Sequence, residues 1–232
     1  MEKCGENSSE ARETAEIFTR ELAELKRRGS GLLVVGAEPP MQRACERFLG
    51  DATATPRRRV FVRTDGNFVR PDGECHHTHA GTHEDAKVIK QAADTRSTAA
   101  ASNVSNRANT TVLRTQNLAP LGIEISGAID EFERECGPLA PGELRVCFDS
   151  LTPIIEEHDR ESVFRFLHVL IGRIKTVNGM GHFHLPAEMD STIVRTLLPV
   201  FDAAVEIRMN GGNAEQRWHL VERDVTTEWL SL

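Results

Sequence analysis

Leu32-Leu33-Val34-Val35-Gly36, running on through Ala37-Glu38-Pro39-Pro40 into Met41-Gln42-Arg43, is the stretch on which the reading of this chain turns. An unbroken apolar run without alternation suits a strand buried on both faces, as in the middle of a parallel sheet. Gly36 ends that run. Beyond the loop, Met41, Cys45, Phe48 and Leu49 fall on one helical face, with proline near the first turn and Gly50 as the stop. A strand that ends in glycine and opens a helix is where a phosphate-binding loop sits. Its pattern is G-x-x-x-x-G-K-[ST], in which backbone N–H groups cradle phosphates and the lysine adds charge.

Measured against that pattern, the window keeps only its first glycine. Met41 stands for the second glycine, Gln42 for the lysine and Arg43 for the hydroxyl that holds magnesium. Pro39 and Pro40 remove two N–H donors, and Glu38 brings a negative charge to where a triphosphate needs positive ones. Together these changes oppose tight nucleotide binding. Arg43 could replace part of the lost charge, the less favoured reading.

Working outward, residues from about 9 to 28 carry Phe18, Leu22 and Leu25 on one stripe and predict an N-terminal helix that Gly29 stops. Val60 to Arg63 predicts a second strand. From about 70 to 110 the chain turns rich in Ser, Thr, Ala, Asn and His, which predicts a partly irregular insertion around one small strand at Val88-Ile89. Val112-Leu113 is a further strand candidate, and Pro120 opens a helix with Leu121, Ile125, Ala128 and Phe132 on one face.

The last hundred residues repeat the alternation of strand and helix. Leu144 to Phe148 predicts a strand ending in Asp149-Ser150, and a helix follows from about Asp159 to Val177. His182 to Leu185 predicts another strand, Ser191 to Leu198 a helix, and Ala203–Met209 with Gln216–Glu222 a hairpin turning at Asn210-Gly211-Gly212-Asn213. The expectation is one α/β domain over residues 1–232. Its sheet is mainly parallel and covered by helices, with an antiparallel C-terminal hairpin at the edge.

Composition bounds the function. In 232 residues, 39% are apolar and 27% charged, which suits a globular domain with its own core. A net charge of -7 argues against a general nucleic-acid binder, and Arg57-Arg58-Arg59 reads as a solvated lead-in to a strand. The five cysteines are scattered, odd in number and without C-x-x-C spacing, so a reducing cytoplasm is expected. The most apolar helical run, Phe164 to Ile174, is broken by Arg165, His168 and Arg173, which excludes a membrane span.

Ligands of open parallel sheets collect at the carboxyl ends of the strands, which points to Gly36, Asp65, Asp149 and His184. An acid placed like Asp149 can hold magnesium in a nucleotide site. Without a phosphate loop, the plainer role for Asp149 or Ser150 is to cap the turn after the strand. His182 and His184 flank Phe183 and so project from one face of their strand. With Asp149 they could form a small metal or acid–base site; a pair of hydrogen-bonded buried histidines is the blander account. Cys75, His76, His77, His79 and His83 have the right atoms for zinc but lie in flexible sequence with no second cysteine pair, so they read as incidental loop residues. Trp218 reads as core, and Trp229 as a docking anchor for the C-terminus or an exposed contact.

Several stretches resemble the haloarchaeal HTR-like proteins, a family of unknown function. They are Leu144-Arg145-Val146-Cys147-Phe148-Asp149-Ser150-Leu151-Thr152-Pro153, Glu156 to Arg160, Val163 to Leu167, and Gly179-Met180-Gly181-His182-Phe183-His184-Leu185-Pro186. Phe201-Asp202-Ala203, Gln216 to Leu220, Trp229, Leu32 to Gly36 and Asp94 to Ser97 extend the likeness. That family is similar in layout to RecA/KaiC ATPase domains. The resemblance implies a three-layer RecA/KaiC-like fold with the His182–Leu185 strand between the Gly36 and Asp149 strands. It also implies that Asp149 takes the place of the magnesium-associated acid and that His184 falls near the sensor position. The catalytic Glu implied after the second strand has no match in Arg63-Thr64-Asp65-Gly66.

The functional expectation is a non-catalytic RecA/KaiC-like pseudo-ATPase, a regulatory or signalling module that works through protein partners and is capable of homo-oligomers. Gly36, Arg43, Asp149 and His184 would line its vestigial nucleotide crevice, with no cofactor and no catalytic residue. The first alternative is an atypical ATPase that grips ATP and magnesium through Arg43, Asp149 and His184. A metal-dependent hydrolase built on Asp149, His182 and His184 is the other.

Overall fold

The architecture follows from a computed structural model, which describes residues 3–50, 55–64, 85–92, 104–107 and 109–232. Asp65 and the whole Cys75–His83 cluster lie outside the described residues. Helix α1 (Lys3–Arg28) leads into strand β1 (Ser30–Gly36) and helix α2 (Glu38–Leu49). Strands β2 (Arg58–Arg63), β3 (Ala86–Gln91), β4 (Val104–Arg107) and β5 (Thr110–Leu113) follow, then α3 (Leu118–Cys136) and β6 (Leu144–Phe148). Next come α4 (Thr152–Glu157), α5 (Arg160–Thr176), β7 (Met180–Leu185) and α6 (Thr192–Leu197). The long strands β8 (Ala203–Asn210) and β9 (Asn213–Leu220) precede two short ones, β10 (Val225–Thr226) and β11 (Leu230–Ser231).

Among the described residues the strands join one sheet in the order β10-β9-β8-β1-β7-β6-β2-β3-β5-β4, with β11 also pairing β9. The ladders from β8 through β1, β7, β6, β2 and β3 to β5 are parallel, and antiparallel pairs close both ends. The mixed α/β class, the mostly parallel sheet and the antiparallel C-terminal strands are therefore as the sequence predicts. The Val88-Ile89 island belongs to a full strand, β3, lying inside the sheet between β2 and β5. The C-terminal hairpin turns on Gly211 and Gly212, both at positive φ (54° and 86°), the backbone that a two-residue hairpin turn needs.

Period two divides each central strand between two cores. Leu33 and Val35 of β1, Val146 and Phe148 of β6, and Phe183 and Leu185 of β7 face α3, α5 and α6. Leu32 and Val34 of β1 face the other way, toward Met41 and Ala44 of α2 and Leu25 of α1. Leu121, Ile125, Ile129 and Phe132 of α3, and Val163, Leu167, Ile171 and Ile174 of α5, form the inner stripes expected from their spacing. Each such side chain contributes roughly 1.5–3 kcal/mol by leaving water. Asp159 caps α5, its carboxylate accepting from the Ser162 N–H at 3.0 Å, and Ser191 caps α6 in the same way.

Arg57, Arg58 and Arg59 are not a solvated lead-in. Arg57 donates to the Gly142 carbonyl at 2.8 Å, Arg58 pairs with Asp85 and Glu143, and buried Arg59 donates to the Gly50 carbonyl at 2.7 Å. They tie three connections together at the amino end of the sheet. Trp218 is core, edge-on to Phe48, and Trp229 docks beneath the guanidinium groups of Arg208 and Arg217. Among the described residues no helix is long and apolar enough to cross a membrane.

Gly36 has φ 126°, and a Cβ there would collide with the carbonyl oxygen of Ile207 on β8. Its glycine is demanded by the β1–β8 approach, whatever the following loop binds. Gly36→Ala is expected to lower stability by on the order of 3 kcal/mol in urea unfolding, with the same loss in the presence or absence of Mg-ATP.

Candidate functional site

The carboxyl ends of β1, β2, β6 and β7 bring Gly36, Thr64, Asp149 and Leu185 to one edge of the sheet. A single residue, Ala37, separates β1 from α2. Positions 38–43, which a phosphate loop would keep open as a ring of N–H donors, are instead helical, with proline in the first turn. Met41 is buried against Leu32, Val34 and Ile207, so this turn is anchored to the sheet. The Gly36 N–H already donates to the Ala187 carbonyl at 3.1 Å. Arg43 projects from α2 with an exposed side chain.

Asp149 directly follows β6 and is half-buried. Its Oδ1 accepts from the Thr64 N–H at 2.9 Å and lies 3.2 Å from the Thr64 hydroxyl, while Oδ2 is shielded from solvent without a hydrogen-bond partner. The Thr64 hydroxyl has one proton, and its shorter approach is to the Ser150 carbonyl at 2.5 Å. Burial pushes the Asp149 carboxyl up to about 6, against the opposing pull of Thr64, Ser150 and nearby His184. Ser150 accepts from the Thr152 N–H at 3.2 Å and so starts α4. Asp149 thus clasps β2 to β6 through Thr64, which occupies the position after the second strand.

One step further into the sheet, four polar side chains converge beneath α2. Cys147 of β6 and His182 of β7 are register partners on neighbouring strands, and His184 follows on the same face. Cys45 reaches down from α2: its Sγ lies 3.3 Å from Cys147 Sγ and 3.1 Å from His182 Nε2. All four residues are buried, and one ligand atom from each lies within 4.8 Å of the others. The His182 and His184 rings meet edge-on at 5.2 Å, and Phe48 of α2 packs on His182 at 5.6 Å. The hydrogen bond to Cys45 and burial hold the Cys147 thiol well above its ordinary range, with His184 pulling the other way. Cys45 and Cys147 are both free thiols.

The predicted site residues therefore divide. Asp149 and His184 come together, and Gly36 lies on the same sheet edge, while Arg43 stays exposed on α2. His182 and His184 do share a face, but the groups beside them are thiols. Sequence reading missed Cys45, Cys147 and Thr64. The signal was present in part: Cys147 lies two residues before Asp149 on one strand, and Cys45 sits on the apolar stripe of the following helix.

The profile of a family of unknown function, DUF7504, matches residues 29–207. The chain belongs to that family. The DUF7504 match runs from just before β1 into β8 and so includes the crevice residues and the whole thiol–imidazole cluster. No curated protein matches the chain.

Because Thr64 satisfies both Asp149 and the Ser150 carbonyl, Thr64→Val leaves a buried acceptor unpaired. A loss of about 1–3 kcal/mol is expected, read as a lower urea midpoint at unchanged slope, whereas Thr64→Ser keeps most of the stability.

Proposed function

We propose that this chain is a non-catalytic RecA/KaiC-like module of the haloarchaeal HTR-like kind, a cytoplasmic pseudo-ATPase that regulates or signals through protein partners. The observation that carries the reading is the start of α2 at Glu38, two residues past Gly36. A triphosphate needs a run of free N–H donors and a lysine at that point, and here the backbone is already coiled and proline-led. The RecA-like layout is supported by β7 lying between β1 and β6 and by an acid, Asp149, at the end of β6. The alternative ATPase needs Arg43 beside Asp149 and His184, and no observation favours that.

An interaction role draws on exposed apolar surface, and the face made by α3 and α5 has it. Ile123 and Val169 are 69% and 66% exposed, and they border a groove with Gly122 and Phe166. Such exposure is a cost to a chain that works alone.

Calorimetric titration with Mg-ATP at high salt tests the reading, with Asp149→Ala as control. No saturable heat is expected at nucleotide concentrations up to ~1 mM, a dissociation constant at which binding is worth only about 4 kcal/mol. Micromolar binding that disappears in Asp149→Ala would overturn it. Ile123→Glu and Val169→Glu are each expected to change folding stability by less than about 0.5 kcal/mol, checked by thermal melting; a large loss would mean that the chain itself covers this face.

A further inference from the structure

We propose that Cys45, Cys147, His182 and His184 bind one zinc ion as a closed, four-ligand structural site between α2 and the sheet. The donors come from three elements: a helix, β6 and β7. Zinc–sulfur bonds of about 2.3 Å and zinc–nitrogen bonds of about 2.0 Å in a tetrahedron set the ligand atoms roughly 3.3–3.8 Å apart. Cys45 Sγ stands 3.3 Å from Cys147 Sγ and 3.1 Å from His182 Nε2, and every pair lies within 4.8 Å. Those separations lie within about an ångström of that tetrahedron.

The chemistry of the donor set selects the ion. Two sulfurs and two imidazole nitrogens in a compact tetrahedral arrangement are a zinc set, whereas calcium and magnesium take oxygen ligands. Binding sends the two thiol protons to solvent and forms two zinc–sulfur and two zinc–nitrogen bonds. The two thiolate charges then cancel the charge of the cation, leaving a neutral centre that suits its apolar walls. Without the ion the cluster is poorly satisfied: thiols are weak donors, and buried His184 Nε2 has no hydrogen-bond partner. A disulfide is the competing fate, but the sulfurs at 3.3 Å are well outside bonding distance, about 2.05 Å.

With all four positions filled by protein, the ion has no open site for a substrate and serves structure. Cys45 is the one ligand on α2, so the ion would pin that helix to β6 and β7 directly behind the crevice. This goes beyond the pseudo-ATPase reading and does not depend on it.

The test uses the full untagged chain, purified without chelator. Elemental analysis is expected to give about one zinc per chain, and cobalt added to the stripped, fully reduced protein is expected to give the intense visible bands of a tetrahedral thiolate–imidazole centre. Cys45→Ala and Cys147→Ala should each cut bound zinc at least about tenfold. A variant carrying Cys75→Ser, His77→Ala and His79→Ala should keep it. Absence of the cobalt bands from reduced wild-type protein would overturn the proposal even if the cysteine variants fail to fold. Full zinc in a folded Cys45→Ala chain, or zinc that leaves with the Cys75 variant, would overturn it too.

Discussion

The central strands of this sheet have no face to give to water, and most of the structure follows from that. β1, β7 and β6 are parallel neighbours, buried on both sides along almost their whole length. Each residue must therefore be absorbed by one helical layer or the other, and period two decides which. One layer, under α3 and α5, takes the apolar residues of β6 and β7, with Phe148 and Phe183 stacked at 5.6 Å. Every polar side chain on β6 and β7 is thereby forced to the α2 side. Arg145, Cys147, His182 and His184 all lie there, and α2 must supply something that tolerates them.

What α2 supplies is a short, closely applied helix. Arg145, buried and held down to about 10 by desolvation and by the neighbouring Arg57 and Arg59, is met by the Phe48 carbonyl of that helix at 3.2 Å and by the Gly142 carbonyl at 2.8 Å. The thiol–imidazole group is met by Cys45. Closeness is what a phosphate loop cannot have, since it must stand away from the sheet far enough to wrap an anion. Met41, Ala44 and Cys45 instead pack on the strands. The short β1–α2 connection and the buried polar layer are two aspects of one helix position.

The sheet was largely legible because its signals are local. Leu32–Gly36, Leu144–Phe148 and the Asn210–Asn213 turn each carry their own pattern of burial or turn chemistry, and each element appears within a few residues of its expected bounds. The arginine run is misread because its partners carry no motif: two of its contacts end on the backbone carbonyls of Gly50 and Gly142 and two on Asp85 and Glu143, all but Gly50 far along the chain. The small strand expected at Val88-Ile89 is longer, Ala86–Gln91, because strength in a parallel strand comes from its neighbours and β3 takes its ladder from β2 and β5. The cysteines were dismissed on spacing, a test that finds zinc modules built from knuckles. It is blind to ligands delivered by register, where Cys147 meets His182 only because β6 and β7 align so.

Register also fixes how far the polar layer lies from the sheet edge. Along β6, Cys147 precedes Asp149, and along β7, His182 precedes His184, so each strand carries one donor deep in the layer and one nearer the carboxyl end. His184 belongs to both regions: it joins the sulfurs, and it also acts on the charge of Asp149. Thr64 takes Asp149, α2 starts two residues past Gly36, and Cys45 reaches inward from that helix. Polar groups at and just below the strand ends are thereby turned into the protein, where they tie β2, β6, β7 and α2 together.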